Sequence, residues 1–176
     1  MSALSGPDAG RLLAEAHAAR AAATLGEAAA PAVSTRALWA HANRKAGAPV
    51  DFSVARALRD DPETAARYRT LLSGVAVAHA PFAVAASDGA MTERRVGPYR
   101  LSLVPAADDA PPLLVIKSEG APAPTAIEIA SCDLRLRLAL PEAVEGTQVL
   151  ALDPDAPEAA GAAEAFQDRA AEIFLI

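Results

Sequence analysis

Apolar positions recur at helical spacing in the first half of the chain and alternate in the second. Residues 9–23 are nearly all helix formers behind a Pro7-Asp8 start, and Gly26 and Pro31 punctuate the end of that segment. Its stripe of Leu12, Leu13, Ala16 and Ala19 is weak, so 1–33 is expected to pack loosely. Ser34 or Thr35 caps a second helix, Arg36 to about Ala46, with Leu38, Trp39 and Ala42 as its apolar face and Gly47 and Pro49 closing it. Asp51 caps a third, with Phe52, Val54, Ala55 and Leu58 at helical spacing. Asp61-Pro62-Glu63 is a fresh start: a capping carboxylate, a proline at the first helical position, and an acid at the positive end of the helix dipole. This fourth helix reaches Leu72 or beyond, with Ala65, Tyr68, Leu71 and Leu72 on one side.

After Gly74 the period changes to two. Tyr99, Leu101 and Leu103 alternate with polar positions, Leu113–Ile116 is a continuous apolar run, and Ile127 and Ile129 flank Glu128. Leu134, Leu136, Leu138 and Leu140 alternate with Arg135 and Arg137, which predicts a strand with leucines inward and arginines in solvent. Val149–Leu152 and Glu172–Ile176 are further strands, and a short helix is expected over 157–170. Proline- and glycine-containing stretches at 105–112, 120–124 and 141–146 separate these elements. The fold class expected is α+β: an N-terminal helical segment or bundle, residues 1–86, followed by a small antiparallel β-sandwich-like domain, residues 94–176. Pro81, Ser87-Asp88-Gly89 and Gly97-Pro98 suggest a join in which trypsin first reaches Arg94 or Arg95, with Val75–Val84 packed against one half.

Charge divides the same way. Residues 1–75 hold nine Arg or Lys against seven Asp or Glu, net +2, and 76–176 hold seven against fifteen, net −8. The acidic half argues against direct nucleic-acid binding, which needs a basic face. Aromatic residues are only 4% of the chain, so the core is expected to be aliphatic. No run of apolar residues is long enough for a membrane span, the N-terminus does not read as a signal peptide, and one cysteine, Cys132, requires no oxidising compartment. A cytoplasmic protein without membrane attachment is expected.

The motifs of common chemistry do not occur. His17, His41 and His79 lie far apart, which does not match the clustered spacing of zinc sites, so no metal is expected. There is no phosphate-binding glycine loop and no Gly-x-Ser-x-Gly elbow, and Cys132 reads as a small buried residue. Asp60-Asp61 reads as capping and Asp108-Asp109 as a solvated loop. No catalytic residue and no cofactor site is assigned. Trp39 remains: as a core side chain in the ordinary case, or, with Arg36, Arg44 and Lys45 on the same segment, as part of a partner-binding face.

The segment Arg36-Ala-Leu-Trp-Ala-His-Ala, followed by Asp51-Phe-Ser-Val-Ala-Arg-Ala-Leu-Arg-Asp-Asp-Pro-Glu-Thr-Ala-Ala-Arg-Tyr, resembles the N-terminal helical domain of bacterial anti-sigma factors. The resemblance implies binding to another protein, a sigma factor. The zinc-binding members carry His-x3-Cys-x2-Cys; this sequence does not, so zinc is not implied. The expected function is a non-catalytic protein-interaction or regulatory protein of anti-sigma type. The alternatives are an accessory subunit of a larger bacterial enzyme or assembly, and an enzyme whose site is assembled from distant residues.

Overall fold

A computed structural model describes residues 33–80, 91–107, 110–131, 134–157 and 159–176. The chain divides at Ser34, and the description here is of the unit Thr35–Ile176. The expected helix at 9–23, His17, Asp108-Asp109 and Cys132 lie outside the described residues.

Among the described residues three helices come first: α1 (Thr35–Ala42), α2 (Phe52–Asp60) and α3 (Pro62–Val75). The capping signals work as read. Asp51 accepts the Ser53 backbone N–H at 2.9 Å, and Asp61 accepts that of Glu63 at 3.0 Å and the Thr64 hydroxyl at 2.5 Å. The described strands that follow are β1 (Ala78–Ala80), β2 (Glu93–Val96), β3 (Tyr99–Val104), β4 (Leu113–Ser118), β5 (Ala126–Ala130), β6 (Arg135–Ala139), β7 (Thr147–Ala151) and β8 (Glu172–Leu175), with a short helix α4 (Ala162–Gln167) before the last. They form two antiparallel sheets, in the orders β1-β8-β5-β6 and β2-β3-β4-β7. The α+β class and the helices-then-strands order are as expected. The helix expected at 157–170 is shorter, and β1 and β2 are strands the alternation did not reveal.

One apolar core lies between the sheets. Val96, Tyr99, Leu101, Leu103, Leu114 and Ile116 of the β2-β3-β4-β7 sheet meet Ile127, Ile129, Leu138, Ile173 and Leu175 of the other, with Phe166 of α4 alongside. The outer face of the β2-β3-β4-β7 sheet is open to solvent at Val104 and Val149. The outer face of the β1-β8-β5-β6 sheet is covered. Its central strands β5 and β8 are buried at every position, the mark of strands enclosed on both sides. The covering layer is helical: Tyr68 of α3 reaches Glu128, Arg69 of α3 reaches Glu172 at 2.5 Å, and Arg137 of β6 donates to the Ala42 carbonyl at the end of α1.

The join expected between 86 and 94 therefore falls inside one compact unit. Val75 is half-buried at the end of α3, and β1 directly after it pairs with β8, so the helical half supplies an edge strand to the sheet. Of the two expected cleavage points, Arg95 is exposed and Arg94 is not. Arg94 is buried, and its guanidinium donates to the carbonyls of Phe166 (2.9 Å), Ala171 (3.0 Å) and Asp168, clamping the end of α4 to β2. A cation there also opposes the negative end of the helix dipole. Gly97, at φ +57°, makes the two-residue turn between β2 and β3 that a side chain would strain. Among the described residues, no helix is long and apolar enough to cross a membrane.

Candidate functional site

Where the helical layer meets the β1-β8-β5-β6 sheet, the interface is charged. Strand register sets Glu128 of β5 directly across from Arg137 of β6. Both point towards the helices, because Ile127, Ile129, Leu136 and Leu138 take the other side of the pleat. Glu128 is fully buried and accepts from Arg137 Nε at 2.8 Å and Nη2 at 2.7 Å, from Arg135 Nη1 at 3.0 Å and from the Tyr68 hydroxyl at 3.1 Å. Arg137 Nη1 donates to the carbonyls of Ala42 (3.0 Å) and Arg44 (2.8 Å). Arg135 also lies over the Tyr68 ring, 5.0 Å from its centroid. The expectation that Arg135 and Arg137 face solvent is thus corrected: Arg137 is buried, Arg135 is mostly so, and the helical layer is what covers them.

This arrangement holds more positive than negative charge. One carboxylate serves two guanidiniums, and a third, Arg44, stands nearby; among the described residues it has no ion pair, and its buried Nε has no hydrogen-bond partner. Burial and the proximity of Arg137 lower the Arg44 pKa below its usual value. The same surroundings keep His41 neutral: burial, then the Arg44 charge, push it down to about 4. Its ring meets Tyr68 edge-on at 5.3 Å, and the Tyr68 phenol is raised by burial and by the Glu128 charge, so it stays a donor at all ordinary pH.

Beside the cluster lies a cavity of about 280 Å³. Its charged walls are Arg44, Arg59 and Arg135, with His41 and Ser131, and its apolar walls are Val50, Ala55, Leu58 and Leu134. A shallower depression of about 390 Å³ shares Ser131 and Leu134 and is lined by Glu164 and Asp168. Among the described residues there is no cluster of side chains suited to a metal ion.

Of the residues singled out for a partner face, Arg36 and Lys45 are exposed on α1 and just after it, and Arg44 lies half-buried at the cavity. Trp39 is 50% exposed, which sets aside its reading as a core side chain. Leu38, His41 and Ala42 are what α1 buries. Phe52, expected on the buried face of α2, is 86% exposed; Val54 and Leu58 are the residues that side buries. Glu128, Arg135, Arg137, Tyr68 and Arg59 were not singled out from the sequence. The signal for the first three is an acid between isoleucines in one strand and two arginines between leucines in the next, a pairing that shows only once the strands are in register. No protein-family model matches the chain, and no curated protein or solved structure does either.

Proposed function

We propose that the chain is a non-catalytic protein-interaction protein and that its binding face is the outer surface of the helical layer. The observation that carries this reading is the placement of the aromatics. In a chain with so few, Tyr68, Tyr99, Phe166 and Phe174 are fully buried, while Trp39 and Phe52 project from α1 and α2 into solvent with Val50 also exposed. Exposed tryptophan and phenylalanine beside Arg36 and Lys45 are the residue types that anchor protein interfaces. The partner this face suits carries apolar residues and acidic groups. The resemblance of 36–68 to anti-sigma factors makes a sigma factor the first partner to try. An enzyme subunit is the alternative, with the chain as its accessory. The reading places the protein in the cytoplasm, acting on another protein rather than on nucleic acid or membrane.

The test compares the immobilised wild-type chain with a Trp39→Ser, Phe52→Ser double variant as bait in lysate of the native host. The wild type should retain one protein in stoichiometric amount, and the variant should retain at least tenfold less while melting at the same temperature. Equal retention by both refutes the assignment of this face.

A further inference from the structure

We propose that the cavity between α2, the end of α1 and β6 binds a phosphate monoester whose organic group is apolar. The site shares Val50 with the exposed aromatic face, but neither Trp39 nor Phe52 lines it. Three features of the cavity carry the inference. The first is charge. Arg44 and Arg59 both line it, and among the described residues neither makes an ion pair, whereas the third guanidinium, Arg135, is matched by Glu128. Two unmatched guanidiniums complement a phosphate monoester, which carries about −1.5 to −2 at neutral pH; a carboxylate would neutralise only one.

The second feature is a donor left over. The Arg44 Nε–H is buried without an acceptor among the described residues, a costly state, on a side chain that lines the cavity. Helix α1 ends two residues before Arg44, and the Arg44 carbonyl is held by Arg137 Nη1 at 2.8 Å, so the backbone that carries this side chain is fixed to the sheet. The third feature is the rest of the lining. Val50, Ala55, Leu58 and Leu134 give the cavity an apolar side that inorganic phosphate would leave unfilled. At about 280 Å³ it suits a small ester with a ring or short alkyl group.

Isothermal titration calorimetry at constant ionic strength tests this with phenyl phosphate, benzoate, inorganic phosphate and benzyl alcohol. Phenyl phosphate should bind one per chain, at least tenfold tighter than inorganic phosphate or benzoate, and benzyl alcohol should not bind. Arg44→Gln and Arg59→Gln should each weaken phenyl phosphate at least tenfold. Arg56→Gln, on the same helix but paired with Asp60 and outside the cavity, should leave it unchanged. Arg59 is exposed and makes no ion pair or side-chain hydrogen bond among the described residues, so its variant reads the site even if Arg44→Gln fails to fold. Benzoate binding as tightly as phenyl phosphate overturns the dianion assignment. Absence of saturable phenyl phosphate binding, or equal loss in Arg56→Gln, overturns the site.

Discussion

Glu128→Gln isolates the charge at the junction of helices and sheet. The substitution keeps the shape of the side chain and one carbonyl acceptor, but it replaces an oxygen that accepts from a guanidinium with an amide that can only donate. Four hydrogen bonds converge on this carboxylate, from Arg137 Nε and Nη2, Arg135 Nη1 and the Tyr68 hydroxyl. Without its charge, Arg137 keeps the Ala42 and Arg44 carbonyls but becomes a buried, uncompensated cation beside Arg135 and Arg44. Removing one partner of a buried pair costs about 3–5 kcal/mol. Arg135 is partly solvated, which moves the expectation to the lower part of that range, about 3 kcal/mol. For a unit of this size the melting temperature should fall by roughly 10 °C. Urea denaturation followed by circular dichroism at pH 7 measures the loss. Because the helices are fastened to the sheet through this residue, helical and β signals should shift together to a lower midpoint. A change within about 1 kcal/mol of wild type, or loss of helical signal alone with an unmoved β transition, would refute the reasoning.

The neutral buried His41 sets a pH dependence. Its pKa is near 4 in the folded chain against an ordinary 6.5, so the unfolded chain binds the proton more tightly. The stabilising effect of keeping it neutral is complete above pH 6.5 and is lost as pH falls from there towards 4, by about 3 kcal/mol in all; His41→Gln should flatten that part of the stability curve. Arg94→Met removes the donors to three carbonyls and should cost about 3 kcal/mol by urea denaturation, and brief trypsin digestion of the folded wild type should not cut at Arg94. Gly161 has φ +76°, and a Cβ there would lie 3.0 Å from Leu134 Cδ2, so Gly161→Ala should lower stability by about 1 kcal/mol or more.

The helix starts were legible because capping is local: Asp51 and Asp61 declare themselves within three residues. Which face each helix buries was less so. Val54 and Leu58 are one turn apart and define the buried stripe of α2, while Phe52 lies two residues before Val54, about 200° around the axis. Apolar character alone drew it to the wrong side. Trp39 is one residue, about 100°, away from Leu38, and the stripe completed by His41 and Ala42 leaves it outside.

In β6 the alternation was read correctly and its meaning was not. Period two separates leucines from arginines, but it does not say whether water or a helical layer lies over the arginines. The carboxylate that makes burial of Arg137 tolerable sits nine residues earlier in the chain, and only the β5–β6 register brings the two face to face. The candidate cavity was illegible for the same reason, since its arginines come from the end of α1, from α2 and from β6. The proline- and glycine-containing stretch before β2 suggested a boundary, yet strands β1 and β2 on either side of it belong to two sheets that share one core.

Photo-crosslinking in the native host tests the functional reading most directly. Benzoylphenylalanine placed in turn at positions 39 and 52, with position 149 on the open face of the other sheet as control, reports what touches each surface in the cell. Positions 39 and 52 should yield an adduct with the same protein, identified by mass spectrometry, and position 149 should yield none. An adduct from position 149 with none from 39 and 52 would contradict the assignment of the helical layer as the binding face.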